Sequence, residues 1–213
     1  MKRAKDFRNA AWKDMKGSWG TLALIYFLYT IILGALGAVN GLNALRIVFL
    51  SILSIAASVA VLLLSGPFNL GIHISALDVS RKQPVSVGSL FEGFKSFGDS
   101  LALYILTAIF TFLWSLLLII PGIIKMYSYS MGYFILADRP DLSGNQARKR
   151  SMYLMKGHKW QLFCLDLSFI GWYLLSLLTL GILAFWVYPY HMTARAEFYN
   201  ELLVEENALA QRS

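Results

Sequence analysis

Gly20 to Val39 is a run of twenty residues, GTLALIYFLYTIILGALGAV, without a single charged side chain. About twenty apolar residues are what one α-helix needs to cross the hydrocarbon core of a bilayer. In lipid each backbone amide must find its partner within the segment, so such a run is held to the helix. Composition carries the same constraint over the whole chain. Of 213 residues, 57% are apolar or aromatic and 15% charged, against roughly 45–50% and 25% in soluble domains. A chain this small leaves much of its surface exposed, so the bilayer must bury what the fold cannot. A soluble enzyme, a disordered tail and a disulfide-stapled secreted domain are all excluded. The one cysteine, Cys164, reads as a small buried hydrophobe.

Ala35-Leu36-Gly37 resembles a signal-peptidase site, but the apolar region is too long for a signal peptide and further spans follow. The second apolar region, Ile47 to Leu77, is interrupted by Gly66-Pro67 and reads as one long kinked helix ending near Asp78. A third span runs from Leu101 to about Leu117. Pro121-Gly122 is expected to turn the chain into a fourth, Ile123 to Ala137. The last region, Leu162 to Tyr190, reads as two spans with a turn at Thr179-Leu180-Gly181. Six helices result, with four longer ones as the alternative.

Lysine and arginine placement tests that count and calls for an even number of spans. Lys2, Arg3, Lys5, Arg8, Lys13 and Lys16 precede the first span. Arg81, Lys82 and Lys95 follow the second; Arg139, Arg148, Lys149, Arg150, Lys156 and Lys159 follow the fourth. Only Arg46 and Lys125 fall on the other side. By the positive-inside rule both termini are cytoplasmic. The net charge of +7 is then a topology marker, and no nucleic-acid partner is expected.

The segments leading into each pair of spans are alike. AWKDMKGSW begins at Ala11, LFEGFKSFG at Leu90 and SMYLMKGHK at Ser151. Trp12, Phe91 and Met152 align, as do Met15, Phe94 and Met155. Lys16, Lys95 and Lys156 come next, then the small residues Gly17, Ser96 and Gly157. Ser89-x-x-Glu92 and Ser143-x-x-Gln146 read as capping boxes that open short helices. The expected fold is therefore an all-α, polytopic membrane protein of one domain, residues 1–213. Six transmembrane helices form three hairpins, each preceded by a short cytoplasmic amphipathic helix. The units span about 5–80, 86–140 and 143–203, and 204–213 is a short polar tail. Any helix entering a membrane from the cytoplasm tends toward aromatics and lysine, which is the plainer account of the likeness.

From Pro121 on, PGIIKMYSYSMGYFILADRPDLS, ARKRSMYLMKGHKWQLFCLDLSFIGW and LTLGILAFWVYPYHMTARAEFY resemble the bacterial membrane proteins grouped as domain of unknown function 975, found mainly in Firmicutes. The first half, with GPFNLGIHISALD, resembles them more loosely. The resemblance implies a multi-pass protein of the bacterial plasma membrane. It is also distantly similar to the non-catalytic membrane part of some glycerophosphodiester phosphodiesterases. It brings no agreed activity and no catalytic residues.

Ionisable groups inside a bilayer cost about 2.5–3.5 kcal/mol each at a helix centre, so each is a functional candidate. Asp166 in span five and Arg195 in span six lie at matching depths, roughly 9 Å from the cytoplasmic ends, where antiparallel neighbours can pair. His191 lies one turn above Arg195, and Tyr188 close by. In span two Ser65, Asn69, His73 and Ser80 recur at helical spacing; in span four Tyr129 shares the face of Lys125. Lys125 has no acid at its depth and is expected to snorkel outward. Such stripes line a cavity or join helices by hydrogen bonds. Arg148, Lys149, Arg150, Lys156 and Lys159, with His158, form a basic cluster that can attract anionic headgroups or only set topology.

No hydrolase elbow, zinc motif or Walker loop is present. No enzymatic activity, cofactor or metal is expected. The leading functional expectation is binding or translocation of an amphipathic or anionic substrate such as a lipid or peptide, with membrane lipids as partners. The alternative is a scaffold or accessory protein, for envelope stress or bacteriocin resistance, acting through partner helices or as a homo-oligomer.

Overall fold

A computed structural model describes residues 3–41 and 48–211; Arg46 lies outside the described residues. The described chain is helical, with no strand. In order the helices are α1 (Ala4–Asp14), α2 (Trp19–Gly41), α3 (Val48–Ser80), α4 (Ser89–Glu92), α5 (Phe97–Leu117), α6 (Ile119–Tyr129), α7 (Gly132–Asp138), α8 (Gly144–Leu154), α9 (Lys159–Leu167), α10 (Ile170–Leu178) and α11 (Ala184–Ala210). A 3₁₀ turn, Gly93–Ser96, links α4 to α5. Four stretches are long and apolar enough to cross a membrane: Trp19–Leu36, Ser54–Ser80, Ser89–Leu116 and Lys159–Leu178. Their outward faces carry Ile31, Ile55, Phe112, Leu116, Leu177 and Leu178, all exposed, which suits contact with lipid.

Proline positions differ in part from the sequence expectation. Pro67 lies within a single continuous α3. Pro121-Gly122 is not the turn between α5 and α6. The chain reverses at Leu118, which is extended (φ −161°, ψ 143°), and Pro121 sits in the first turn of α6. There the missing N–H costs nothing, because first-turn amides have no intrahelical acceptor. Gly122 instead lets α6 lie against Ser115 of α5. The turn at Thr179-Leu180-Gly181 is present, with Leu180 and Gly181 at φ 52° and 85°. Two further breaks were not expected, at Ser130-Met131 between α6 and α7 and at Ser168-Phe169 between α9 and α10. Helix α11 runs on to Ala210, into the stretch read as a polar tail.

Of the two capping boxes, one forms. The Ser143 amide donates to Gln146 Oε1 at 2.8 Å and its hydroxyl accepts from the Gln146 amide at 3.4 Å. Ser89 does not cap α4. It is buried inside the helix, whose N-cap is Gly88.

The chain from α1 into α2 and the chain from α8 into α9 share one backbone pattern at a constant spacing of 140 residues. Both short helices are 11 residues long. The amides of Met15, Lys16, Ser18 and Leu22 donate to Ala11, Lys13, Met15 and Ser18. Those of Met155, Lys156, His158 and Leu162 donate to Ser151, Tyr153, Met155 and His158. Gly17 and Gly157 both sit at φ 91°, a left-handed conformation that glycine enters without penalty. Met15 and Met155 are both fully buried. The middle segment departs from this pattern. Ser96, where the others have glycine, stays at φ −116° and closes a 3₁₀ turn.

Each short helix packs on helices that precede or follow its own long helix, some of them distant in sequence. Helix α1 lies on α9 and α11, α4 on α3, and α8 on α5, α6 and α7. Phe7 of α1 meets Phe198 of α11 edge-on at 5.3 Å. Glycines permit the close approaches: Gly71 of α3 abuts the Leu90 backbone of α4, Gly93 abuts the Pro67 carbonyl, and Gly144 abuts Asp99 and Leu103 of α5.

Candidate functional site

Helices α9 and α11 bring together the ionisable groups of the last two apolar segments. The Arg195 guanidinium donates to both oxygens of Asp166, through Nε to Oδ1 at 2.9 Å and through Nη2 to Oδ2. His191 Nε2 lies 2.7 Å from Oδ1, and its Nδ1 lies 2.8 Å from the Tyr173 hydroxyl on α10. One neutral tautomer satisfies every contact: Nε2–H donates to the carboxylate and the tyrosine O–H donates to Nδ1. With that tautomer the cluster carries no net charge. The Phe169 ring stacks on His191 at 4.5 Å. The helix break at Ser168 places Phe169 there, and the Ser168 carbonyl accepts from Arg8 of α1 at 2.8 Å. Pairing and hydrogen bonding offset the cost of burying these charges.

The other intramembrane candidates do not join this cluster. Asn69 Nδ2 donates to the Ser65 carbonyl at 2.7 Å. His73 Nδ1 lies 2.7 Å from the Asn69 carbonyl, so that nitrogen carries the proton, and its ring packs on Tyr133 and Phe134. Lys125 rests on the Trp114 ring, 4.7 Å from the centroid. Tyr129 is buried, and the Arg148 guanidinium lies 5.2 Å from its ring.

That last contact corrects the sequence reading. Arg148, grouped with the headgroup-binding cations, is 6% exposed. Its guanidinium lies 4.2 Å from Phe110 and donates to Asn145 Oδ1 at 2.9 Å. It shares the buried face of α8 with Ala147 and Ser151, a spacing that periodicity could have revealed. Planar, weakly hydrated guanidinium groups stack on aromatics in such sites. Arg150 is half-buried and paired with Glu206 at 2.5 Å. Lys149 and Lys156 are exposed and Lys159 half-exposed. Nearby, Arg81 holds Asp138 with two hydrogen bonds of 2.5 and 2.8 Å, and that hydrogen bond raises the arginine's pKa.

Three cavities matter for binding. A groove of about 260 Å³ lies between α1, α2, α10 and α11, walled by Trp12, Trp19, Trp172, Leu183, Trp186 and Tyr190. Its wall is wholly apolar, since the Tyr190 hydroxyl turns away to the Arg8 carbonyl at 3.0 Å. Two cavities of about 320 and 270 Å³ flank the Lys-Gly turns after α1 and α8. Sequence reasoning passed over Tyr173, Phe169 and Arg8, whose roles depend on the α9–α10 break. It also took Lys13 only as a topology marker, and Lys16 only as that and as an aligned position of the similar segments.

A helical protein with several segments of membrane-crossing length and a buried, charge-balanced cluster belongs to the class of polytopic α-helical proteins compatible with a bilayer. A family model described as protein of unknown function (DUF975) matches residues 1–128 and 116–206. The chain belongs to that family along its whole length, including the first half. No curated protein and no solved structure matches it.

Proposed function

We propose that this chain is a non-enzymatic, six-span protein of the bacterial plasma membrane that binds an amphipathic, anionic substrate of the lipid class. In this reading α1, the α4 segment and α8 are interfacial helices on the cytoplasmic side, each opening one of three related units. The shared hydrogen-bond pattern of the first and third segments supports the relation. Cyclic packing supports it too, each interfacial helix lying on a neighbouring unit's spans.

The tryptophan-walled groove is the observation that carries the binding reading. It is apolar throughout and lies beside an interfacial helix. Its volume is below the roughly 300–1,000 Å³ of pockets that enclose whole ligands, which suits one alkyl chain entering from the bilayer. The paired Asp166–Arg195 cluster, by contrast, supports a structural role, so binding is favoured over conduction through the centre.

Native mass spectrometry of the protein extracted with its lipids tests this. The wild type is expected to retain lipid, and Leu183→Trp, which fills the groove, to lose it at an unchanged melting temperature. Wild-type protein that carries no co-bound lipid would overturn the reading.

A further inference from the structure

The cavities beside the two Lys-Gly turns are counterparts. Lys13, Asp14, Lys16 and Ser18 wall the first; Tyr153, Leu154, Lys156 and His158, each 140 residues later, wall the second. The opposite wall of the first is the end of α3 with Lys82 and Gln83. That of the second is the end of α11 with Glu205 and Glu206. The same backbone thus frames one cavity with an excess of cations and one whose cations are matched by carboxylates.

The first sets three lysines against one carboxylate, Asp14, which lies 4.0 Å from Lys82 Nζ. Among the described residues no ion pair reaches Lys13 or Lys16. In the second cavity the chain supplies its own anions. Glu205 lies 4.0 Å from His158 Nε2, and Glu206 holds Arg150. Lys156 and His158 are the potential cations in its lining, with Arg150 beyond it on Glu206.

We infer that the cavity between α1, α2 and the end of α3 is a binding site for a phosphoryl group, held by Lys13, Lys16 and Lys82 with Ser18 and Gln83 as hydrogen-bonding partners. Its counterpart beside α8 is closed to such a ligand by Glu205 and Glu206. Three ammonium groups supply point charges without fixed geometry, which suits a phosphate oxyanion presented at a membrane surface. Ser18, half-buried, and Gln83, exposed, add short-range hydrogen-bond donors. The inference deepens the lipid-binding reading by naming the headgroup, and rests on it for a lipid source. It shares no residue with the tryptophan groove.

The test uses the full chain in phosphatidylcholine nanodiscs. Dioleoyl phosphatidylglycerol is titrated in one arm and inorganic phosphate in the other, with native mass spectrometry and equilibrium dialysis as readouts. Each lysine near such an anion is worth a factor of about five, so Lys16→Gln with Lys82→Gln is expected to weaken binding about twenty-five-fold. Lys156→Gln, at the counterpart position, is expected to stay within about twofold by the same rule. Lys16→Arg retains charge and binding, which separates lost charge from lost fold. Binding of the lipid alone supports a headgroup ligand, and binding of phosphate as well supports a soluble one. Leu183→Trp leaves phosphate binding unchanged, so failure of the groove and failure of this site read differently. Equal affinity in the double-glutamine variant, an equal loss in Lys156→Gln, or no binding of either probe by the wild type overturns the proposal.

Discussion

The segment from α1 into α2 and the segment from α8 into α9 have one backbone and two chemistries. Buried Met15 and Met155, left-handed Gly17 and Gly157, and buried Leu22 and Leu162 hold the same turn in both. Arg8 and Arg148 also correspond, and both lay their guanidinium groups inward, one on the Ser168 carbonyl and one on Phe110. Beyond these positions the segments diverge. Asp166 in α9 anchors the only described Asp–His–Arg cluster, whereas its counterpart in α2, Tyr26, stacks on Tyr188 at 4.1 Å. The exits differ as well, with Lys82 in the turn after α3 and Glu205 and Glu206 within α11. Few positions hold the geometry, so the rest are free to change charge. Close likeness of backbone is therefore no guide to likeness of ligand.

The largest test of that contrast is Asp166→Asn. It leaves the largely buried Arg195 without its counter-charge, a loss approaching the roughly 3–5 kcal/mol of a broken, fully buried pair. Folded protein recovered from the membrane is expected to fall sharply, measured by size-exclusion yield and melting temperature. Normal yield and melting temperature would rule out the structural pair.

Gly17→Ala and Gly157→Ala probe what the segments share. Each forces a Cβ into the left-handed region at about 1–2 kcal/mol, roughly 4 °C in melting temperature for a chain of this size. The two losses are expected to match. A loss at one position alone would show that the turns do not carry equal weight.

The smallest effect is expected at Tyr26→Phe, the position equivalent to Asp166. The ring stack on Tyr188 survives, so the change stays within about 0.5 kcal/mol, the usual range for substitutions that spare packing and buried charge. A fall as large as that of Asp166→Asn would mean that the first unit hides a polar anchor of its own.

Much of the fold was legible because a bilayer leaves few choices. Runs such as Gly20–Val39 are held to the helix, and the Met-Lys-Gly spacing marked the local backbone pattern that α1–α2 and α8–α9 have in common. Ser96 shows the limit. It aligned with the two glycines, but a serine does not take the left-handed turn readily, and the middle segment tightened into a 3₁₀ turn instead. Pro121 misled because proline is tolerated at the start of a helix as well as in a turn, and only the position of Leu118 separates the two.

The candidate sites were less legible. Sequence alone placed Asp166 and Arg195 at one depth and named the chain's charges. It could not show that His191 bridges Asp166 to Tyr173, because the break at Ser168 sets the angle between α9 and α10. Nor could it separate Arg148, buried against Phe110, from the exposed Lys149 beside it. The amino-acid sequence by itself determined that this chain is helical, with segments apolar and long enough to cross a bilayer, since hydrophobicity and backbone hydrogen bonding are local demands. Tertiary structure alone decided which charges meet, which are buried and which face a cavity, because those depend on helices brought together from distant parts of the chain.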